Sequence, residues 1–403
     1  MISQQQAIVF EERKPGNFTL PLYPAALFLG LFFLPMKAFH FSIGEQSVYP
    51  SYLAILILAA VNFKTFSGSY LSFFRTPTLV LMGFGVLYYI RTGFDFSVFI
   101  FVFKIIIALL MTTAYLRLLH YDERRTMRYL AWGIGATVAY MIYQFLSTTF
   151  FGWSLPFTTI APFEIGRGLS SRFGLNRVTG FTEEPSYVAV MLIGSFFLLR
   201  SYERRSGISQ KHIKLLMVIG MLLCTSDNLL ATLPLLLLFG LLSRYRLTWL
   251  FFVLFYAANL VIYPQVLNLD ESFFARFSSY SLFAAEPFMT QLLGIGFNQY
   301  NKLNVIQYMT PEGLPGLVVE SLGSLWGGLL LEGGIVFTVC FCLYIIRLVN
   351  GAKFGTGFAL MAILIMLANY YSPWWPITSF ALAYVLYSRY PMKTIPNTET
   401  RAV

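Results

Sequence analysis

The sequence is poor in charge. Only 11% of its 403 residues are Asp, Glu, Lys or Arg, whereas 57% are hydrophobic and 18% are aromatic. Soluble domains carry about 25% charged residues, so this composition excludes an ordinary soluble enzyme and a nucleic-acid-binding or disordered protein. The mean hydropathy of +0.67 indicates instead a protein whose surface faces lipid.

Residues that hold metals and nucleotides are also scarce. The chain has three histidines and three cysteines, and Cys224, Cys340 and Cys342 all lie in apolar runs. This distribution predicts no disulfide framework, no metal site and no bound cofactor. The absence of an Asp-x-Asp pair and of a Gly-rich Walker loop disfavours a nucleotide-dependent transferase and ATP-driven transport.

Long apolar runs dominate the rest of the chain. Because a helix needs about 20 apolar residues to cross the hydrocarbon, we predict an all-α polytopic membrane protein with about twelve transmembrane helices. These form one integral membrane domain over residues 1–403. The predicted spans are 19–37, 46–63, 76–92, 95–116, 128–149, 185–200, 212–226, 228–243, 247–263, 323–346, 354–371 and 375–389.

The distribution of basic residues predicts the orientation of these spans. If the N-terminus is cytoplasmic, most of the 28 Lys and Arg residues fall in short cytoplasmic connections, which is the positive-inside pattern. An even number of spans then returns the C-terminus to the cytoplasm. The two longest connections, 150–184 and 264–322, are placed on the outer face, where they are the best candidates to enclose a site.

Three arginines recur at a spacing of five in the first outer loop, namely Arg167, Arg172 and Arg177. On a helix this spacing would turn each side chain by about 140° from the last, so a loop fits the pattern better. A loop folded back on itself could direct several guanidinium groups at one polyanion, and Arg suits bidentate phosphate contact. Contacts with lipid headgroups or with nearby glutamates are the structural alternative.

Two adjacent carboxylates end the same loop. Glu183 and Glu184 precede Pro185, which suits the first position of a helix. They are candidates for a general base, or for acids that complement the positive helix end with Thr182 as the cap. A helix end lowers the pKa of a carboxylate and burial raises it, so the two interpretations stay open.

The second outer loop contributes a fourth arginine and a glycine-rich stretch. Arg276 is a candidate for anion binding or for a salt bridge with Asp270 or Glu271. Residues 293–300, which include Asn298, contain two glycines that predict a tight turn.

Two charges are predicted to lie inside the bilayer. Lys104 and Glu332 each lie about nine residues below the outer end of their span, or about 13 Å deep. An unpaired charge there costs roughly 3 kcal/mol, so we predict that they are partners. The alternative is that Lys104 faces a polar cavity.

Four short segments resemble one family of membrane enzymes. They are RVTGFTEEPS at 177–186, TSDN at 225–228, Arg276 followed by LGIG at 293–296, and LEGGI at 331–335. In order and spacing they resemble the bacterial O-antigen and exopolysaccharide polymerases of the Wzy type, which are related to the O-antigen ligases. O-antigen ligases generally have a histidine in the second outer loop. This chain has no histidine after His212, and that difference from the ligases favours a polymerase.

The resemblance implies a GT-C-like fold and a glycosyltransferase of the bacterial inner membrane with both large loops in the periplasm. It implies that repeat units on undecaprenyl diphosphate are polymerised there into O-antigen or exopolysaccharide, without a metal. Partners would be the undecaprenyl-diphosphate-linked glycan, membrane lipids, a chain-length regulator and a flippase, and no nucleic acid.

The resemblance also gives the candidate residues their roles. Glu184 is the candidate catalytic base, with Glu183 in reserve. The substrate-binding candidates are Arg167, Arg172, Arg177, Arg276, Lys104, Tyr187 and Asn298. Two alternative functions stay open, an O-antigen ligase that transfers glycan to the lipid A core and a transporter or flippase of lipid-linked glycans.

Overall fold

The structure is a computed structural model, and it describes most of the hydrophobic part of the chain. The described residues are 22–36, 41–43, 46–48, 50–52, 63–152, 159–160, 163–164, 171–172, 175–176, 178–181, 185–224, 226–266, 271–300, 307–309, 315–318, 324–367 and 376–390.

Helices account for most of these residues, as predicted for an all-α protein. They are α1 (Leu22–Leu27, continued by a π-helical turn Phe28–Phe32), α2 (Phe63–Arg91), α3 (Ser97–Phe150), α4 (Pro185–Ser206), α5 (Lys211–Cys224), α6 (Asp227–Arg244), α7 (Thr248–Val266), α8 (Glu271–Ala285), α9 (Phe288–Leu293), α10 (Leu325–Asn350), α11 (Thr356–Met366) and α12 (Pro376–Arg389). Short antiparallel hairpins are an addition to the prediction: β1 (Phe41–Ile43) with β2 (Gln46–Val48), β3 (Thr159–Ile160) with β4 (Phe163–Glu164), β5 (Ser171–Arg172) with β6 (Leu175–Asn176), and β7 (Gln307–Met309) with β8 (Pro315–Val318).

Several helices are compatible with a multi-pass membrane protein. Among the described residues, those long and apolar enough to span are Ser67–Arg91, Ser97–Phe150, Pro185–Ser206, Thr248–Gln265 and Leu325–Asn350. These five are fewer than the twelve predicted spans. One reason is that α3 contains two predicted spans; another is that α11 and the apolar part of α6, Thr232–Arg244, are short. Most of the predicted span 46–63 lies outside the described residues.

Helix α3 reverses direction at Asp122, where the backbone leaves the helical region (φ −156°, ψ 89°). Tyr115, before this point, donates its hydroxyl to the Gly30 carbonyl at 3.1 Å, and Gly133, after it, touches the Phe32 carbonyl. In a straight helix residues 115 and 133 would be roughly 27 Å apart, too far to meet neighbouring residues. The chain therefore forms an antiparallel helical hairpin, with its two arms in the predicted spans 95–116 and 128–149.

The sequence at the reversal explains why the second arm begins there. Asp122 accepts a hydrogen bond from the Arg125 backbone N–H at 2.9 Å through Oδ1, which is the N-cap arrangement. The Arg125 Nε lies 3.2 Å from the other carboxylate oxygen. One acidic side chain thus stops the first arm and caps the second.

Turns predicted to be cytoplasmic lie together at one end of the helices. At the α3 reversal, Glu123 accepts the Tyr384 hydroxyl at 2.8 Å, and its carboxylate lies 3.6 Å from Arg205 Nε. Between α6 and α7, Thr248 donates to the Asn350 side chain at 2.7 Å. These contacts involve the α3 reversal, α4 and α12 in one set and the α7 start and α10 end in the other, and the charge pattern assigns all of them to one side.

The core lies around α11 and α12. Nearly all of α11 is buried, and the Trp326 indole of α10 donates to the Leu364 carbonyl at 2.9 Å. Helix α12 packs along α3, with Ser379 donating to the Ala108 carbonyl at 3.0 Å. Around this core, α5 ends at Cys224 and α6 begins at Asp227, so the predicted region 212–243 forms two helices.

Candidate functional site

A loop and a broken helix meet through their backbones at the other end of the molecule. Helix α10 is interrupted at Gly334, where φ is 68° and ψ is 178°. The N–H of Ile295 donates to the Leu331 carbonyl and that of Gly296 to the Glu332 carbonyl, both at 3.0 Å. A helix interruption leaves backbone carbonyls without intrahelical partners, and here the loop supplies them. We call this contact between residues 293–300 and 331–335 the glycine junction.

The approach is close enough to require glycine on both sides. A Cβ on Gly294, which has φ of 78°, would lie 2.1 Å from the Glu332 carbonyl oxygen. A Cβ on Gly334 would lie 2.3 Å from the Gly294 nitrogen. Neither backbone position could accept a side chain without separating the two segments. The predicted tight turn at 293–296 is therefore also a backbone-to-backbone contact.

The end of α2 joins both halves of the glycine junction. The buried Tyr88 donates its hydroxyl to the Gly333 carbonyl at 2.6 Å. One turn later, Arg91 donates through Nη1 to the Gly294 carbonyl at 2.8 Å. Sequence analysis did not single out either residue, because a tyrosine and an arginine at the end of an apolar run carry no local signal of such partners.

The start of α3 holds the far side of the same loop. Gln299 donates through Nε2 to Asp95 Oδ2 at 2.8 Å and to Ser97 Oγ at 2.9 Å. Asp95 also accepts the Ser97 backbone N–H at 2.9 Å, so one carboxylate contacts both the first residue of α3 and the loop. The loop is thus tied to the helices on both of its flanks.

An aromatic side chain fixes the depth of the loop. Phe297 is fully buried, with its ring 4.5 Å from that of Phe101, 4.6 Å from that of Tyr88 and 4.9 Å from that of Phe337. These contacts bury apolar surface from three helices around one loop residue. The next residue, Asn298, is half-buried and has a positive φ of 57°.

A pair of opposite charges lies at the glycine junction. Glu332 is 2% exposed, and the half-buried Lys104 of α3 lies close enough for the two charges to attract each other. This supports the predicted pairing. It also places a cation and an anion about 10 Å inside the start of α3.

Helix α8, which carries Arg276, packs against α10 and the end of the loop. Arg276 is half-buried. Two residues further on, Ser278 is hydrogen-bonded to Tyr300, which closes the loop. Burial raises the pKa of Tyr300 to about 12, and the Ser278 hydrogen bond opposes this only in part. The phenol is therefore neutral at physiological pH.

The first outer loop is the part of the predicted site that the structure describes least. Arg172 lies in the hairpin of β5 and β6, paired through its backbone with Leu175. Helix α4 begins at Pro185, as predicted, and Tyr187 in its first turn packs against the main hydrophobic core. Four predicted residues lie outside the described residues: Arg167, Arg177, Glu183 and Glu184.

The structure thus brings together Lys104, Asn298 and the helix that bears Arg276. Tyr88, Arg91, Asp95 and Gln299 are additions to the predicted set. Across the part of the chain that is described, no group of three or more His, Cys, Asp or Glu side chains could hold a metal ion.

Comparison with known proteins gives no family assignment. No protein-family model matches the chain, and a search of curated proteins finds no match. The resemblance to Wzy-type polymerases therefore stays a prediction based on the short segments at 177–186, 225–228, 293–296 and 331–335.

Proposed function

We propose that this protein is a metal-independent glycosyltransferase that polymerises undecaprenyl-diphosphate-linked repeat units at the periplasmic face of the bacterial inner membrane. One observation supports this most. The segments at 293–296 and 331–335, which resemble the polymerases separately, form a single junction around the buried Glu332. Two motifs that share one structural unit are easier to understand as parts of one site than as unrelated turns.

The proposal includes a topology. About twelve spans in a GT-C-like arrangement, with both termini cytoplasmic, would place residues 150–184 and 264–322 in the periplasm. A chain-length regulator and a flippase are the proposed protein partners, and membrane lipids surround the helices. The contacts that tie the α2–α3 turn to the loop at 294–300 support this topology, because both are assigned to the same side.

The chemistry needs few groups. Glu184, or Glu183 in its place, would take the proton of the acceptor hydroxyl as its oxygen forms a bond to the anomeric carbon of the donor. The bond between that carbon and the diphosphate oxygen breaks, and undecaprenyl diphosphate leaves with the electron pair. Arg167, Arg172, Arg177 and Arg276 would stabilise the developing negative charge. Lys104, Tyr187 and Asn298 are proposed to contact the substrate.

The experiment is chain extension of a lipid-linked repeat unit by the purified protein in detergent. Replacing each of the four arginines by Lys keeps the charge and removes the bidentate fork, so we expect the rate to fall at least about tenfold in some of them. Arg75→Lys, at an exposed position of α2, is the matched control. Unchanged rates in all four variants would contradict the arginine assignment.

The base is tested separately by Glu184→Gln, which keeps the size of the side chain and removes its basicity. We expect loss of polymerisation with retained binding of the lipid-linked donor. Full activity in both this variant and Glu183→Gln would remove the pair from the mechanism.

Transport is the second candidate, and the interruption of α10 favours it. Interrupted helices beside a buried charge are typical of secondary transporters, and Gly334 and Glu332 provide both features. Detergent solution has no compartments, so chain extension there would support an enzyme rather than a transporter. The same assay with a lipid A core acceptor would separate a polymerase from a ligase.

A further inference from the structure

The turn between α2 and α3 holds a bulky residue in an unfavourable backbone conformation. Gly93 and Phe94 have φ values of 71° and 68°, and the Phe94 N–H donates to the Tyr89 carbonyl at 2.8 Å. The left-handed region suits glycine but strains a phenylalanine. The side chain gains little burial in return, because Phe94 is 65% exposed and Phe96 is 72% exposed.

The two exposed rings form one cluster with two half-buried ones. The Tyr89 ring lies 5.4 Å from that of Phe94, 5.1 Å from that of Phe96 and 5.4 Å from that of Phe99. We call these four residues the aromatic turn. In water, such an exposed apolar cluster would promote aggregation. In membrane proteins, aromatic rings are enriched at the level of the lipid headgroups.

The surface next to the aromatic turn is apolar and exposed, as expected of a surface that faces hydrocarbon. On α2, Leu87 and Ile90 are 38% and 58% exposed, and on α3, Ile100 and Phe103 are 47% and 64% exposed. Both helices belong to candidate membrane spans. The aromatic turn therefore lies where the hydrocarbon surface ends and the headgroup region of one leaflet begins.

A cation is held at the same level. Arg91 is exposed and lies one helical turn after Leu87, on the edge of the hydrocarbon-facing surface. Its Nη1 is bonded to the Gly294 carbonyl, which orients the guanidinium group. An oriented guanidinium with exposed N–H donors suits bidentate contact with a phosphate.

We propose that Arg91 and the aromatic turn form a binding site for the phosphate group of an anionic phospholipid from the surrounding bilayer. The apolar residues of α2 and α3 beside Arg91 favour a bilayer lipid, because they are exposed whereas Glu332 is buried. The bound headgroup would also strengthen the glycine junction, since the same guanidinium holds Gly294.

The test counts bound phosphatidylglycerol on the full chain by native mass spectrometry, after delipidation in detergent. We expect Arg91→Gln to weaken the tightest binding event about tenfold, because a charge-assisted hydrogen bond is lost. Arg91→Lys should retain part of the affinity. Arg75→Gln, an equal loss of charge on the same helix, is the matched control and should change binding less than about twofold.

A second variant tests the rings with Arg91 intact. Phe94→Leu combined with Phe96→Leu keeps apolar side chains and removes the aromatic ones, so phosphatidylglycerol binding should also weaken. Equal losses in Arg91→Gln and Arg75→Gln would overturn the proposal. The proposal would also be overturned if Arg91→Gln bound phosphatidylglycerol as tightly as the unchanged protein but bound an isoprenoid diphosphate more weakly. That result would assign the site to the isoprenoid lipid instead. If Arg91→Gln does not fold, unchanged binding in the ring variant overturns the proposal.

Discussion

At the scale of single residues, the charges at the glycine junction depend on each other. Glu332 is almost fully buried, and Lys104 reaches it from a different helix. Removing one partner of such a pair leaves the other charge in a medium of low polarity, which costs more than the pair itself contributes. The identity of either residue is therefore less important for stability than the match between them.

Exchanging the two charges tests this dependence. We expect Lys104→Glu and Glu332→Lys each to lower the stability by at least about 3 kcal/mol, because each places like charges together. The double variant should recover a substantial part of that loss. Thermal unfolding of the three purified variants in detergent measures the effect, and a double variant no more stable than either single one would refute the pairing.

The sequence predicts this pair but not its neighbours, for a physical reason. A charge within an apolar run is costly wherever the helix packs, so Lys104 and Glu332 could be selected from their depth alone. Tyr88 and Arg91 act through hydrogen bonds to the carbonyls of Gly333 and Gly294, more than 200 residues away. Which backbone they meet is decided by the folded chain and not by any local pattern.

At the scale of elements, the interruption of α10 is stabilised by hydrogen bonds from other parts of the chain. The loop after α9 supplies N–H groups to the Leu331 and Glu332 carbonyls, and Tyr88 supplies a hydroxyl to the next one. A further carbonyl, that of Leu329, accepts the Thr338 hydroxyl at 3.0 Å. The loop, Tyr88 and Thr338 therefore supply hydrogen-bond donors to carbonyls on the N-terminal side of Gly334.

Alanine substitutions test the need for glycine here. Gly294→Ala and Gly334→Ala should each lower stability by at least about 3 kcal/mol, because the new Cβ meets backbone atoms and the positive φ is strained. Gly83→Ala on α2, where a Cβ meets nothing within 4 Å, is the matched control and should be neutral or stabilising by about 1 kcal/mol. Similar melting temperatures in all three variants would contradict the close approach.

Sequence patterns predicted where several elements begin and end. Pro185 begins α4, and the polar residues at Asp122 separate two helical arms, as the hydropathy pattern indicates. The short hairpins were not predicted, because strands of two to four residues have no periodicity to detect. The interruption at Gly334 was also missed, since an apolar run with two glycines is compatible with a continuous span.

At the scale of the whole molecule, polar contacts collect at two ends. One end holds Glu123 with Arg205 and Tyr384, and Thr248 with Asn350. The other end holds the α2–α3 turn and the glycine junction. The charge pattern predicts that these two groups lie on opposite sides of the membrane.

Labelling from one side of the membrane tests this assignment. In a chain whose three cysteines are replaced, a single cysteine at Phe96 should react with a membrane-impermeant maleimide in spheroplasts. A cysteine at Arg204, which is exposed at the opposite end, should react only after permeabilisation. Labelling in the reverse order would invert the topology and move the proposed site to the cytoplasm.

The loop is joined to α10 by hydrogen bonds between backbone atoms, and this has one more consequence. Main-chain atoms are the same in every amino acid, so the N–H groups of Ile295 and Gly296 would keep their partners if the Ile295 side chain were exchanged. Variation at Ile295 can thus reshape the surface without breaking the backbone hydrogen bonds that support the loop. The backbone of such a loop can therefore stay in place while its side chains change.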